Sequence, residues 1–408
     1  MATAIKMISL FVGVIMLMTF MTGCTEQKVT AGVIAEKQDQ VIERNNEFAW
    51  EMFKLLNKED ADENVFISPL SISTALTMTL NGANSSTEEA IKKALFYEGL
   101  DMSAINSGNK YLAERLTSID KNITLNISNS IWVRDEFPVK KSFMDVNRDM
   151  FEAQVENIDF TKTDAAGKIN RWIKDATEGM IEKMIDPPIP DNMIMYLINA
   201  IYFKGDWTKP FDPKMTFPGQ FNGKDGKISD VEYMTKSEGM EYYENNGMKA
   251  VRLPYGKDKS ASMVLILPDE SVDIDTFIGE LDLDTWNEIK SGLQQQSEVR
   301  LKMPKFKMEY GIKELKSSLV DLGMGEAFTN QADFTGISDT GVAIDTVMHK
   351  AVIDVHEKGS EAAAVTVVGI RTTSFMLDMP EFIADRPFVF VIADDVDQSI
   401  LFMGKMIQ

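Results

Sequence analysis

Residues 349–374, HKAVIDVHEKGSEAAAVTVVGIRTTS, begin as a strand and continue as a segment with no obligation to remain one element. Ala351, Ile353 and Val355 alternate with Val352, Asp354 and His356, the period-two pattern of a two-faced strand. Gly359 then supplies backbone freedom. From Ser360 to Val368 there is no proline and one charge, Glu361. The alternate positions Ser360, Ala362, Ala364 and Thr366 are all small. A segment with one small face fits between two existing strands without large clashes, with Glu361 turned to the other face. An Ala-rich helical turn or a plain surface loop between two strands fits the same residues.

Charge narrows the choice of partners. The 408 residues carry 42 basic and 63 acidic side chains, a net charge of -21. That balance argues against nucleic acid, heparin-like polyanions and anionic membrane surfaces. Length alone allows two or three domains, but no internal repeat or long low-complexity run divides the chain.

The N-terminus reads as a leader. Lys6 precedes an apolar run from Met7 to Met21, too short to span a membrane comfortably and suited to a signal-peptide core over residues 1–23. Met21-Thr22-Gly23-Cys24 resembles a lipobox, which predicts lipidation of Cys24; ordinary export with an incidental cysteine is the alternative. Cys24 is the only cysteine, so no intrachain disulfide forms. Residues 24–40 are polar and mixed, the composition of a tether. This places the protein outside the cell or at its surface, with the membrane reached only through the N-terminal lipid. Three sequons, at Asn84, Asn122 and Asn126, are acceptors only where the host glycosylates exported proteins.

The remaining pattern is mixed. Helical stripes are predicted over Val41–Asn57, Ser71–Asn81, Thr163–Met184 and Ile274–Leu293, and from Pro138. A Ser86/Glu89 capping box predicts a helix running through Leu95. Strands are predicted at Asn64–Ile67, Ile123–Val133, Met193–Phe203 (nearly continuously apolar, hence buried and central), Val299–Met308, Phe388–Val391 and Ile400–Met406. Met215–Pro268 is strand-rich, with turns at Gly223, Asn246-Gly247 and Gly256. Helices dominate the first half and strands the second, an α+β pattern with large sheets.

Catalytic chemistry finds little support. His349 and His356 are the only histidines, and a spacing of seven suits neither a helix-face pair nor a common zinc site. A single cysteine in the tether offers no Cys–His nucleophile. No P-loop or Gly-rich dinucleotide turn occurs.

From about Arg44 to Met406 the chain resembles the serpins, inhibitors that trap a protease by inserting their own cleaved loop into a sheet. The resemblance rests on Phe66, Ser68, Pro69 and Ser71; on Asn199-Ala-Ile-Tyr-Phe-Lys-Gly-Asp-Trp207 with Phe211; and on Leu322-Gly-Met, Phe328 and Ala332-Asp-Phe-Thr-Gly-Ile337. It extends through the 349–374 segment to Arg386-Pro-Phe388 and Leu401-Phe-Met-Gly-Lys405. Each motif is weak alone; their order and spacing together are specific.

The resemblance implies a single domain over residues 41–408: three β-sheets, eight or nine helices and an exposed reactive-centre loop. It implies an inhibitory, microbial member, a monomer that is not an enzyme and needs no cofactor or metal. The hinge falls on Glu357, Gly359, Ser360, Glu361, Ala362, Ala363, Ala364, Val365 and Thr366. Ser68, Asn199 and His349 map to the point where the sheet opens, Trp207 to the top of the sheet, and Lys305 with Glu357 to an ion pair at the loop base. Counting from the hinge places the scissile bond at Thr373–Ser374, with Arg371–Thr372 as runner-up. A small β-branched residue before the bond suits an elastase-like or other small-pocket serine protease; Arg371 would suit a trypsin-like one, and Phe375 or Met376 a chymotrypsin-like one. A cysteine protease is an alternative target. A non-inhibitory carrier or chaperone is the alternative function, but such members tend to carry bulky or charged hinge residues, and the inward positions here do not.

Overall fold

The computed structural model describes residues 38–245, 247–360 and 379–408. The predicted leader, Cys24, most of the tether, hinge residues Glu361–Thr366 and both proposed scissile bonds lie outside them. Among the described residues the chain is α+β, with nine α-helices and two large sheets.

A seven-stranded sheet runs in the order Val65–Ile67, Ile400–Met406, Phe388–Asp394, Ala261–Pro268, Met248–Tyr255, Glu241–Asn245, Gln294–Gln295. Its central strands are buried along their whole length, which explains their continuous apolar sequence. A second sheet has nine strands. Its path is Gln154–Ile158, Ile123–Arg134, Met195–Asp206, Gly359–Ser360, Met348–His356, Val299–Glu314, Ile228–Glu238, Phe217–Asn222, with Glu381–Ile383 beside Val299–Glu314. The three sheets expected are thus two by hydrogen bonding. The 16-residue strand Val299–Glu314 pairs with Met348–His356 along one half and with Ile228–Glu238 along the other, merging two sheets into one.

Aromatic rings join the layers. Phe402 stacks on Phe66 at 5.5 Å and lies 6.1 Å from Phe203, which meets Tyr255 edge-on at 5.0 Å. On the other face of the nine-stranded sheet, helix Ala165–Ala176 buries Ile169 and Ile173 with Trp132, Tyr196 and Ile198. The apolar helix Pro69–Leu80 begins at Ser68, whose Oγ accepts from the Ser71 N–H as an N-cap.

Several sequence expectations need correction. Ser86 and Glu89 form no capping box: the helix starts at Ser85, and the Ser86 hydroxyl donates instead to Glu326 at 2.6 Å. The helix expected from Pro138 starts at Lys141. The helix expected over 163–184 ends at Ala176, because Thr177 bonds back to the Ile173 carbonyl and Gly179 takes a left-handed φ of 86°. Ile181 still joins the same apolar cluster, from non-helical chain. The 274–293 helix is two, Ile274–Glu280 and Leu283–Gly292, with Asp282 capping the second. Met195–Asp206 is central but not uniformly buried. Tyr196, Ile198 and Ala200 are covered, whereas Leu197, Asn199 and Ile201 are half-buried.

Candidate functional site

The half-burial of that strand has a structural cause. Met195–Asp206 pairs fully on one side with Ile123–Arg134. On its other side it bonds only to Gly359 and Ser360, through Asp206 and Gly205. Met348–His356 is the mirror case: bonded to Val299–Glu314 on one side, and to Gly359–Ser360 only at His356 and Val355 on the other. Below those two rungs the facing edges are unpaired among the described residues. They enclose a cavity of about 170 Å³ lined by Leu197, Asn199, Ile201, His349, Ile72 and Leu76. A narrower cavity of about 20 Å³, lined by Phe203, Ile353 and Ser360, continues it toward the hinge.

Gly359 and Ser360 wedge the head of this slot. A Cβ on Gly359 would sit 2.1 Å from the Gly205 carbonyl oxygen and 2.7 Å from the Asp206 Cα, so close backbone approach requires glycine. Ser360 is buried, with its hydroxyl 2.9 Å from the Tyr255 hydroxyl. Burial pushes the Tyr255 phenol up, so it stays a neutral hydrogen-bonding group. Tyr255 stacks on Trp207 at 4.4 Å and 14°. The Trp207 indole N–H donates to the His356 carbonyl at 3.0 Å, and its backbone N–H donates to the Lys358 carbonyl at 2.8 Å. Glu357 is held three ways: its carbonyl accepts from the Phe211 N–H, and its carboxylate accepts from Thr216 at 2.9 Å and pairs with Lys305 at 3.3 Å. Burial works against the charge on Glu357, but its own backbone N–H, Thr216 and Lys305 hold the carboxyl below its usual range.

Deeper in the slot lie the three residues mapped to the opening point. His349 Nε2 accepts the Ser68 backbone N–H at 3.1 Å, while Ser68 Oγ donates to the Leu401 carbonyl at 2.8 Å. This bond ties Met348–His356 to the head of helix Pro69–Leu80. His349 is fully buried, and desolvation pushes its imidazole down to about 4. It is therefore neutral near pH 7, with its proton on Nδ1. Asn199 does not join this bond. Its Nδ2 donates to Asn129 at 2.8 Å, its backbone carbonyl accepts from Ser71, and its buried Oδ1 has no partner among the described residues. Helix Pro69–Leu80 thus holds both edges of the slot, through Ser68 and Ser71.

Sequence reasoning located Glu357, Gly359, Ser360, Trp207, Lys305, Ser68, Asn199 and His349, and the fold brings all of them to this slot. It missed Tyr255, Thr216 and Asn129. Tyr255 stands one residue before the turn at Gly256, a position that carries no sequence signal of a buried partner for Ser360. Among the described residues, no group of three His, Cys, Asp or Glu side chains is placed to hold a metal.

Known proteins share this fold and much of this sequence. A family model described as Serpin (serine protease inhibitor) matches residues 43–408. A serpin-like protein of Methanosarcina acetivorans is 33% identical, over 94% of each chain. The leukocyte elastase inhibitor of Bos taurus is 32% identical, over 90% of this chain and 99% of that one. Among solved structures, the thermophilic serpin tengpin in its native state superposes with a TM-score of 0.82 at 32% identity, covering 90% of this chain and 94% of that one. Human thyroxine-binding globulin superposes equally well, TM-score 0.82 at 28% identity, covering 91% and 99%. With the family model matching residues 43–408, relatives above 30% identity along nearly the whole chain and the same fold in solved structures, this protein belongs to the serpin family.

Proposed function

We propose that the protein inhibits serine proteases as a suicide substrate, with the slot as the place its cleaved loop enters. One observation carries the reading: Gly359 and Ser360 already form a two-residue strand paired on both sides, above a gap where the two flanking strands are unpaired among the described residues. Continuing that register puts Ala362 between Phe203 and Ile353, and Ala364 between Ile201 and Ala351. Thr366 then falls on the rung of Asn199 and His349, bringing a hydroxyl donor to the unpartnered Asn199 Oδ1. The small residues all enter on the slot's inner face, and Glu361 enters on the other, beside Lys204 and Asp354.

The chemistry belongs to the target. Its serine attacks the carbonyl of Thr373, the Thr373–Ser374 bond breaks, and the acyl group stays on the protease. The freed segment then zips down the slot, carrying the protease with it. Displacement of its catalytic groups stops deacylation. Roughly ten new ladder bonds at ~0.5–1.5 kcal/mol each contribute on the order of 10 kcal/mol, so the uninserted state is held kinetically. Thr373 suits an elastase-like or other small-pocket protease, and the 32% identity to a leukocyte elastase inhibitor is in keeping with that. Arg371 is the runner-up, for a trypsin-like target.

The test is incubation with elastase-, trypsin-, chymotrypsin- and subtilisin-like proteases, read by denaturing gel and mass spectrometry. A covalent band that survives boiling, with release of Ser374–Gln408, is expected. Clean cleavage without any covalent band, together with an unchanged melting temperature for the cleaved protein, would refute trapping and favour a carrier role.

Export of the protein, cleavage before Cys24 and lipidation of that cysteine complete the reading, with residues 24–40 tethering the single domain at the cell surface. Radiolabelled fatty acid incorporation, lost in Cys24→Ser, is the expected outcome; a label-free, fully soluble mature protein would contradict it.

A further inference from the structure

The chain's two histidines sit at opposite ends of one strand, Met348–His356. His349 is sealed inside. His356 ends the strand half-buried, directly before the turn Glu357–Lys358 that folds back into Gly359–Ser360. Its Nδ1 accepts the backbone N–H of Lys358 at 3.3 Å, inside that turn. Its carbonyl oxygen accepts the Trp207 indole N–H at 3.0 Å, and its backbone pairs with Gly359. One residue thus fastens the turn from within and the strand end from outside.

An imidazole accepting at Nδ1 keeps its single proton on Nε2. A second proton must go to Nδ1, where it meets the Lys358 N–H; donor then faces donor, and the bond inside the turn is lost. The surrounding charges act in both directions. Asp354 on the same strand and Glu357 in the turn favour the cation, while Lys305 on the adjacent strand and Lys358 in the turn oppose it. On the same rung, beyond the side-chain-free Gly359, stands Asp206, with Lys204 two residues before it on the same face. Burial is the largest influence and leaves the ring below its ordinary value. The Glu357 carboxyl is held below its ordinary value by Thr216 and Lys305, and burial pushes His349, at the far end of the strand, down to about 4.

We propose that His356 is a proton-sensitive latch on the hinge: protonation releases the Glu357–Lys358 turn, and with it the Gly359–Ser360 strand, from the head of the slot. The sign follows from linkage. The closed hinge binds the proton less tightly than an open one, whose ring titrates near ~6.5. Closure is therefore complete above that pH and weakens as pH falls through the closed-state value, by at most about tenfold per pH unit for one proton. The effect on loop insertion rests on the inhibitory reading; the opening itself does not.

The test uses the whole protein without any protease. With two histidines in the chain, an imidazole NMR titration resolves both rings, and His356→Asn assigns them. Asparagine offers an Oδ1 acceptor that does not titrate. We expect the His356 ring to titrate below ~6.5. Protection of the Trp207 indole N–H and the Lys358 amide should fall up to about tenfold per pH unit as the ring protonates, and stay flat in His356→Asn. A ring titrating at or above ~6.5, flat protection in the natural protein, or the same fall in His356→Asn would each overturn the latch. Failure to trap a protease would leave these outcomes untouched, so the two readings fail separately.

Discussion

At the head of the slot, Gly359 and Ser360 bond to strands on both sides, and Ser360, Tyr255, Trp207, Glu357 and Lys305 form a continuous polar and aromatic clasp. Deeper down, Asn199 and His349 face each other with no strand between them among the described residues, beside a cavity with largely apolar walls. The head is a sheet already begun; the floor is the same sheet left unfinished. What differs is the supply of partners. Above, Ser360, Trp207 and Glu357 each have one. Below, the Asn199 Oδ1 has none among the described residues, and the slot edges are held by helix Pro69–Leu80 and its cap Ser68. On the proposed function, this unfinished sheet is where the free energy of loop insertion would be released.

The contrast breaks most completely if the head is blocked. Ser360→Arg would force a charged side chain against Tyr255 in a site where serine is 2% exposed. Insertion should stop, converting inhibitor to substrate; a covalent-to-cleaved ratio unchanged on denaturing gels would show that Ser360 is not on the insertion path. Next is the floor. His349 is neutral in the fold and near ~6.5 when unfolded, so its contribution is fully present above that pH and is lost as pH falls through about 4. The loss is about 3 kcal/mol, and His349→Gln should flatten that part of the denaturation profile between pH 7 and 4. Tyr255→Phe removes the partner of the buried Ser360 hydroxyl and should cost ~1–3 kcal/mol in urea unfolding, with the stacking on Trp207 kept. Smallest is Lys305→Met: the ion pair with Glu357 is partly exposed and worth ~0–1 kcal/mol, so its effect should show in hinge exchange rates more than in global stability.

Much of this was legible in the sequence because it is local or periodic. The alternation Ala351, Ile353, Val355 predicts the strand, and the glycine at 359 the backbone freedom that its close approach to Gly205 requires. Long-range partners were not legible. Nothing in the sequence ties Tyr255 to Ser360 or Asn129 to Asn199, since each pair meets only after the strands assemble. The helix errors have the same origin. Ile181 continues the stripe of Ile169 and Ile173 and buries against the same cluster, but the backbone leaves the helix at Thr177 to get it there. Hydrophobic spacing reports which residues share a core, not the path the chain takes between them.

The most direct test of the central claim is site-resolved amide hydrogen exchange along Met195–Lys204 and Met348–Asp354, before and after cleavage of the loop. The account predicts that slot-facing amides, including those on the Asn199 and His349 rung, exchange quickly in the intact protein and become strongly protected once the loop is cut, with a rise in melting temperature. Unchanged exchange on both strands after complete cleavage would contradict it: the slot would then be a cavity, and not the place where the loop goes.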